Sequence, residues 1–318
     1  MEYLAKVVHR TPLTMSNSIN QLTGKQVYFK MENQQKTGSF KIRGAAYKLS
    51  RLHDSEAKQG VIAASAGNHA QGVALAAANR GIQAKLFMPE RTPLAKVEAT
   101  RSYGASTVLI GESFQEAYEA ARLEQNKYNA TLVHPFDDYD VMAGQGTIAM
   151  EMLQQQPSLD TILVPVGGGG LLAGMAVAVK SIDPSIRVIG VQVDNANALY
   201  NQFHGNEQSK FQDRSTIAEG IAVKKPGNLT FPLIHKYVDD MITVSDRSIA
   251  NAMLYMLQRE KTLIEGAGAA SFAALLVHGQ RIRSNHCGIV VSGGNMDIAK
   301  LHQIQQMAKK DERCFIPA

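Results

Sequence analysis

The sequence predicts an α/β protein in which parallel strands are covered by helices. Short apolar runs rich in Val and Ile, such as residues 161–165 and 187–193, alternate with longer Ala-rich stretches such as residues 70–79. This alternation of a strand pattern with a helical pattern is typical of a parallel sheet packed between helices. No repeat of fixed period and no low-complexity linker interrupts it,.

The individual elements follow from the same two patterns. We predict strands where short apolar runs are bounded by Gly, Pro or polar residues, at 26–30, 60–64, 85–88, 107–110, 161–165, 187–193 and 288–291,. We predict helices where longer stretches rich in helix-forming residues follow, at 44–52, 70–79, 93–103, 114–126, 144–155, 171–181, 246–260 and 269–278,.

Two series of strand–helix units divide the chain into two lobes. One series lies between about residues 52 and 140, and another begins at Gly144. We therefore predict a large domain from residues 1–52 and 141–318, with a small domain from residues 53–140 inserted in it. In such sheets ligands bind at the carboxyl ends of the strands, so the loops that leave a strand and enter a helix are the candidates for function.

Composition argues against several classes of function. The 318-residue chain carries a net charge of +5 from dispersed Lys and Arg and has no Trp, so nucleic acid is not an expected partner,. The N-terminus has no apolar core of signal-peptide length, and no run approaches the roughly 20 apolar residues of a membrane span, so no membrane association is expected,. The two cysteines, Cys287 and Cys314, match no metal-ligand spacing and fit a reducing compartment, which makes the cytoplasm the expected location,.

Four consecutive glycines, Gly167, Gly168, Gly169 and Gly170, join the strand T-I-L-V-P-V to a helix that begins with Leu171. Free N–H groups at a helix N-terminus attract anions, and residues without side chains let an anion approach closely. A flexible turn or a dinucleotide loop is the alternative, but the fingerprint G-x-G-x-x-G and a Walker lysine are both missing,. We predict a phosphate site here.

A second loop of the same design consists of Ser65, Ala66, Gly67, Asn68 and His69, between the strand G-V-I-A-A and a helix. The hydroxyl of Ser65, the amide of Asn68 and the backbone N–H groups suit a small carboxylate. Simple capping of the helix by Ser65 is an equally good interpretation. His69 is expected to be a packed or exposed histidine and not a catalyst.

Lys41 is the candidate nucleophile. It ends the segment K-T-G-S-F-K and precedes a helix that we expect to begin near Gly44. The positive potential of a helix N-terminus disfavours protonation of an amine and makes a lysine reactive near neutral pH. A solvated surface charge is the alternative and the commoner role of lysine.

Ser292 begins the loop S-G-G-N after another apolar strand, and its neutral hydroxyl either caps a turn or meets a polar ring atom,. The four loops together offer an amine, a phosphate site, a carboxylate site and a neutral hydroxyl. That combination suits a cofactor with an aldehyde, a phosphate and a ring nitrogen, which reacts with an amino acid.

The chain also resembles a known family, the threonine and serine dehydratases of the fold-type II pyridoxal 5′-phosphate (PLP) enzymes, to which serine racemase is related. The resemblance covers essentially the whole chain. It rests on seven motifs in order: K-T-G-S-F-K-I-R-G-A at 36–45, S-A-G-N-H-A-Q-G at 65–72, A-G-Q-G-T-I-A-M-E at 143–151, V-G-G-G-G-L at 166–171, T-I-A-E-G-I-A at 216–222, E-G-A-G-A at 265–269 and S-G-G-N at 292–295.

The resemblance implies the tryptophan synthase β-like fold, with PLP in the cleft between two parallel-sheet lobes. Lys41 would bind the cofactor covalently, and Lys41 and Ser65 would be the catalytic residues. The implied cofactor-binding residues are Phe40, Lys41, Asn68, Gly167, Gly168, Gly169, Gly170, Leu171, Glu265 and Ser292. The implied residues for the substrate carboxylate are Ser65, Ala66, Gly67, Asn68 and His69.

The implied reaction converts L-threonine to 2-oxobutyrate and ammonia, and L-serine to pyruvate and ammonia. A catabolic role is favoured because no regulatory domain follows S-G-G-N, and a homodimer or homotetramer is expected,. Family members carry an additional helix before R-T-P-L at 10–13, which we expect this chain to lack. The racemases bind a divalent cation through two acids and a carbonyl, but Tyr200 replaces the second acid beside Asp194 and Ala198, so no metal site is predicted,.

Two alternatives remain. Serine racemase shares almost every motif, but the racemases place a serine at the position of Ala66, and a methyl group cannot transfer a proton,. The other alternative is a non-catalytic ligand-binding protein on the same fold. Such a protein has no need of Lys41, so the presence of this lysine favours an enzyme.

Overall fold

Two separate sheets form the framework of the molecule. The computed structural model describes residues 2–206 and 215–308. Its strands are β1 (Leu13–Met15), β2 (Gln26–Met31), β3 (Val61–Ala64), β4 (Ala84–Met88), β5 (Ser106–Leu109), β6 (Thr131–Leu132), β7 (Thr161–Pro165), β8 (Arg187–Val193), β9 (Asp240–Val244) and β10 (His286–Val291). The large sheet has the order β1-β2-β10-β7-β8-β9 and the small sheet the order β5-β4-β3-β6. Only β1, at an edge, pairs antiparallel within these sheets.

Helices connect the strands and cover the sheets. They are α1 (Glu2–Val7), α2 (Asn17–Thr23), α3 (Lys41–Ser50), α4 (Asp54–Gln59), α5 (Asn68–Arg80), α6 (Leu94–Ser102), α7 (Phe114–Tyr128), α8 (Tyr139–Gln155), α9 (Gly170–Ile182), α10 (Ala198–Phe203), α11 (Thr230–Tyr237), α12 (Asp246–Arg259), α13 (Gly266–His278) and α14 (Leu301–Ala308). None of these helices is long and apolar enough to cross a membrane.

The α/β prediction is confirmed, and each predicted strand and helix has a counterpart. Several predicted helix starts were late, including that of α13, which begins at Gly266 and not at 269. The helix after K-T-G-S-F begins at Lys41 itself and not near Gly44. Helix α8 begins at Tyr139, because the Asp138 carboxylate accepts hydrogen bonds from the N–H groups of Asp140 and Val141 and so caps the first turn,.

The expectation that no helix precedes R-T-P-L was wrong. Helix α1 occupies that position, and its apolar side is buried at Leu4. Leu4 and the following Val8 belong to the same apolar cluster as Ile42 and Leu49 of α3. Burial of these side chains stabilises a helix that is too short to form by itself.

The apolar core divides between the two sheets. All four strands of the small sheet lie within residues 61–132, and their side chains pack with α5 and α7. Helices α8, α9 and α13 pack on the large sheet. Helix α3 joins the two sides because it contacts both α5 and α8. Cys287 is a buried free thiol in β10, and Cys314 lies outside the described residues.

Candidate active site

The loops that follow β3 and β6 of the small sheet meet the loops that follow β7 and β10 of the large sheet. A hydrogen bond from Lys41 Nζ to the Pro135 carbonyl spans 2.8 Å. The side chain of Asn68 donates to Glu265 Oε1 at 2.7 Å and accepts from Asn295 Nδ2 at 2.8 Å. These contacts join segments that are far apart in sequence, as expected when parallel strands end at one edge.

Lys41 is partly buried at the first position of α3. Burial lowers the pKa of its amine to about 8, and the nearby Glu265 carboxylate opposes this shift,. Desolvation is thus the main cause of the lowered pKa, in place of the helix potential inferred from the sequence. A substantial fraction of the amine is neutral near physiological pH, as a nucleophile or general base requires.

Asn68, Glu265 and Asn295 form one polar chain at the centre of the site. Asn295 Nδ2 also donates to the Thr37 carbonyl at 2.8 Å, which ties the loop after β10 to the segment before Lys41. Burial raises the pKa of Glu265 to about 7, and the hydrogen bond from Asn68 offsets part of this rise,. Asn295 was not singled out from the sequence, although its motif S-G-G-N was.

The loop after β3 forms a turn in which the Ser65 hydroxyl can still donate a hydrogen bond. Ser65 Oγ accepts a hydrogen bond from Gly67 N at 3.2 Å and keeps its own hydrogen to donate,. Ala66 follows Ser65 in the same turn, partly buried. His69 is buried, and its Nε2 donates to the Val133 carbonyl at 2.8 Å. Burial lowers the pKa of His69 to about 3, so its ring is neutral.

The four glycines form a cradle at the start of α9. Gly169 has φ +99°, a conformation that favours glycine, and Gly170 begins the helix with the buried Leu171 next to it,. A Cβ added at Gly168 would lie 2.4 Å from the Phe136 ring. The N–H groups of the first turn of α9 have no partners within the helix, and the close packing leaves no room for side chains beside them. Gly167 precedes the turn and is partly buried.

Ser292 lies buried directly after β10. Its carbonyl accepts a hydrogen bond from Phe40 N at 3.1 Å, and an isolated β-bridge joins the adjacent Ser39 and Gly293. The segment before Lys41 is thereby held against the loop after β10. The Lys41 amine lies 5.2 Å from the centre of the Phe40 ring.

Sequence reasoning missed the segment H-P-F-D-D at residues 134–138. It provides the carbonyl that accepts from Lys41 and the ring that packs on Gly168. The signal that could have found it is the position after a strand, but β6 has only two residues and gives almost no strand pattern,.

No cluster of His, Cys, Asp and Glu that could hold a metal ion occurs within residues 2–206 and 215–308. Asp194 directly follows β8, and Ala198 and Tyr200 lie in α10.

The fold and this site define a PLP-dependent enzyme of fold type II. A family model described as "Pyridoxal-phosphate dependent enzyme" matches residues 4–293, and the chain belongs to this family. It is 48% identical over 315 residues to the L-threonine ammonia-lyase of Thermotoga maritima, which covers 98% of this chain and 78% of the relative. It is 43% identical over 303 residues to the catabolic L-threonine dehydratase TdcB of Escherichia coli, which covers 95% of this chain and 92% of the relative.

Solved structures with the same fold include a threonine deaminase and a racemase. The processed form of threonine deaminase isoform 2 from Solanum lycopersicum superposes with a TM-score of 0.91 at 36% identity, over 95% of this chain and 89% of that one. Maize serine racemase superposes with a TM-score of 0.90 at 37% identity, over 96% and 94% of the two chains. Because both activities occur on closely similar folds, the site itself must distinguish them.

The residues present fit PLP. The tetraglycine cradle suits its phosphate and the Lys41 amine suits its aldehyde. Within the described part of the chain, three buried polar atoms on the site's loops have no protein partner: Thr37 Oγ1, Ser39 Oγ and His69 Nδ1. Unused hydrogen-bonding capacity of this kind is expected where a polar ligand binds.

Proposed function

We propose that this chain is a catabolic threonine ammonia-lyase, which uses PLP to convert L-threonine to 2-oxobutyrate and ammonia and L-serine to pyruvate and ammonia. The observation that carries the proposal is the Lys41 amine, whose pKa burial lowers to about 8 and which donates to Pro135, in the loop after β6 whose Phe136 packs on the tetraglycine cradle. The names of the similar proteins from Thermotoga maritima and Escherichia coli support the same reaction.

Different residues would bind the cofactor and the substrate, according to the groups that each side chain or backbone segment offers. The cradle from Gly167 to Leu171 would bind the cofactor phosphate, and Phe40 would pack on its ring. Ser65, with the backbone of Ala66 to His69, would hold the substrate carboxylate through its free hydroxyl hydrogen,. Asn68 has a second amide hydrogen beyond the one given to Glu265, which would donate to the ring oxygen,.

The chemical step centres on the α-proton of the substrate. When bound, PLP supplies an electron-withdrawing ring that stabilises negative charge at the substrate Cα. Lys41 Nζ takes the α-proton, and the Pro135 carbonyl holds the amine in place before that transfer,. Ser292 would contact the ring nitrogen with a neutral hydroxyl, which does not hold a proton there as a carboxylate does. A ring without that proton would stabilise negative charge at Cα less well, which favours rapid loss of the β-hydroxyl group; with the α-proton held by Lys41 Nζ, this loss amounts to one molecule of water.

Replacement of Lys41 tests the proposal. We expect Lys41→Ala to abolish the visible absorbance of the protein-bound cofactor and to lower keto-acid release from both amino acids by at least about a thousandfold. Lys36→Ala, in the same segment, is the control and should keep both properties. Normal turnover by Lys41→Ala would show that another residue carries the chemistry.

Ala66 separates dehydration from racemisation. Its methyl group cannot return a proton to the face opposite Lys41, so we expect negligible D-serine from L-serine and a measurable increase in Ala66→Ser. Chiral analysis of the serine recovered after partial turnover measures this directly. Substantial D-serine from the unsubstituted protein would favour a racemase.

We also infer that the protein acts in the cytoplasm as a homodimer or homotetramer. The catabolic role in the name of the Escherichia coli relative supports a site inside the cell, and closed symmetric assemblies are the usual form of soluble oligomers,. Light scattering of the purified protein would measure the assembly, and a monomeric mass would contradict this inference.

A further inference from the structure

The bridging segment, residues 134–138, connects the two halves of the cofactor site. On one side the Pro135 carbonyl accepts the hydrogen bond from Lys41. On the other side the Phe136 ring packs against Gly168. The segment is itself held in a tight turn, because His134 Nδ1 accepts the N–H of Asp137 at 2.8 Å.

Asp137 extends this connection to α11. Its carboxylate accepts hydrogen bonds from the N–H groups of residues 228, 229 and 230, at 2.9, 2.8 and 3.2 Å. Gly227 makes room for it, since a Cβ there would lie 2.3 Å from Asp137 Oδ1. The negative charge therefore lies at the positive end of α11 and fixes where that helix begins.

The start of α11 in turn holds the tetraglycine cradle. Thr230 Oγ1 donates to the Gly168 carbonyl at 2.8 Å, and Gly227 N donates to the same carbonyl at 3.2 Å. In a trans peptide the C=O of Gly168 and the N–H of Gly169 point in opposite directions. Two hydrogen bonds that hold this carbonyl toward α11 therefore direct the N–H of Gly169 away from α11, free for an anion.

We propose that Asp137 is a positioning residue for the cofactor phosphate, which it orders through the start of α11 and the peptide between Gly168 and Gly169. This inference rests on the proposed function, because it assumes that a phosphate occupies the cradle. A helix cap without this role would stabilise the fold and leave phosphate recognition unchanged.

Comparison of PLP with pyridoxal, which lacks the phosphate, separates these two roles. In titrations of the full-length protein after cofactor removal, we expect Asp137→Asn to raise the Kd for PLP by about tenfold, as loss of charge-assisted hydrogen bonds predicts. The Kd for pyridoxal should stay within about twofold of the unsubstituted protein, because pyridoxal makes no use of the cradle. Thr230→Val should also raise the Kd for PLP and leave the Kd for pyridoxal unchanged. Thr230→Ser, which keeps the hydroxyl, should bind PLP as the unsubstituted protein does.

Asp160→Asn is the matched control. The Asp160 carboxylate also accepts two backbone N–H groups, from Asn285 at 2.7 Å and His286 at 3.0 Å, but at the start of β10, far from the loops of the site. Asp160→Asn should lower the unfolding temperature without changing the ratio of the Kd values for PLP and pyridoxal. Thermal unfolding of each variant is measured beside the titrations. If Asp137→Asn does not fold, the comparison of Thr230→Val with Thr230→Ser tests the inference instead.

The outcomes test the role of Asp137 and the proposed function separately. A selective loss of PLP affinity in Asp137→Asn and Thr230→Val supports the inference. An equal rise in both Kd values, or an equally selective loss in Asp160→Asn, overturns it and leaves the proposed function standing. If the unsubstituted protein binds neither compound, the proposed function itself fails, and this inference fails with it.

Discussion

At the scale of single residues, burial sets the protonation states of the site. It brings the pKa of Lys41 to about 8 and the pKa of Glu265 to about 7, while it keeps His69 neutral with a pKa of about 3. Because the pKa values of the Lys41 amine and the Glu265 carboxyl lie close together, both groups change protonation state near neutral pH. Asn68, in the loop that is proposed to hold the substrate, donates a hydrogen bond to Glu265, so the protonation state of Glu265 affects the strength of that hydrogen bond,.

The raised pKa of Glu265 predicts a specific dependence of stability on pH. In the folded protein the pKa is about 7, whereas the ordinary value is 4.5, so the native state binds more protons between these two values,. The stabilising contribution of the protonated carboxyl is complete below pH 4.5 and is lost as the pH rises through about 7,. Since the carboxyl keeps some contact with solvent, the loss should be on the order of 1–3 kcal/mol.

Glu265→Gln cannot titrate and isolates this effect. We expect the free energy of unfolding of the unsubstituted protein, relative to that of Glu265→Gln, to fall between pH 4.5 and about 7,. Urea denaturation of cofactor-free protein at several pH values measures the difference. A constant difference across this range would show that the Glu265 carboxyl titrates normally.

At the scale of elements, the sequence predicted what periodicity controls and missed what long-range contacts control. The strand 161–165 was predicted at its observed bounds, because a fully apolar run between turn residues has few alternative structures,. The two-residue strand β6 and the short helices α1 and α4 carry too little pattern to be recognised. They form because neighbouring elements provide partners for their backbone and side chains.

A buried ionic cluster that the sequence did not predict joins β2, α3, α8 and Glu32, which directly follows β2. Arg43 of α3 contacts Glu32 through two nitrogens at 2.8 Å and Glu151 of α8 at 2.7 Å. Lys30 of β2 contacts Glu151 at 2.6 Å. All four side chains are buried. Because Arg43 lies two residues after Lys41, the cluster also fixes the first turn of α3, from which the Lys41 side chain extends.

Removal of Arg43 should therefore be severe. Arg43→Ala leaves two buried carboxylates with one lysine, and we expect a loss of about 3–5 kcal/mol in the free energy of unfolding. Arg91 is the control, since its side chain is 81% exposed and lies 3.7 Å from Glu112. Arg91→Ala should change stability by less than about 1 kcal/mol. Chemical denaturation of both variants gives the comparison, and similar small losses would mean that the cluster contributes no net stability.

At the scale of the whole molecule, the site exists only where the two sheets face each other. Its motifs are spread from residue 36 to residue 295, and the fold brings them to the carboxyl ends of four strands. From local chemistry the sequence singled out the glycine loop, the loop after β3 and Lys41 as candidates, and the resemblance to the dehydratases gave them roles that stay predictions. It did not reveal Asn295 or the bridging segment as contacts, because their roles depend on which distant segment faces them.

An ion cluster spans the two sides of the molecule near the site. Glu219, in the motif T-I-A-E-G, lies on a 3₁₀ turn whose neighbours Ala218 and Ile221 pack in the core of the large sheet. Lys300 contacts it from the same side. Lys96 contacts it at 3.6 Å from α6, which packs on the small sheet. The adjacent Gly220 lies next to Glu265, so the cluster is at the border of the site.

Two lysine variants distinguish a cross-sheet role from a purely local charge effect. Lys96→Met and Lys300→Met each remove one positive charge beside Glu219, but only Lys96 links the two sheets. We expect Lys96→Met to raise KM for threonine by about two- to fivefold with little change in kcat, as loss of a partly exposed ion pair that links the two sheets at the border of the site predicts. Lys300→Met should stay within about twofold of the unsubstituted protein. The difference should disappear in about 1 M salt, where exposed ion pairs are screened. Equal increases of KM in the two variants would show that the charge near the substrate matters and the link between the sheets does not.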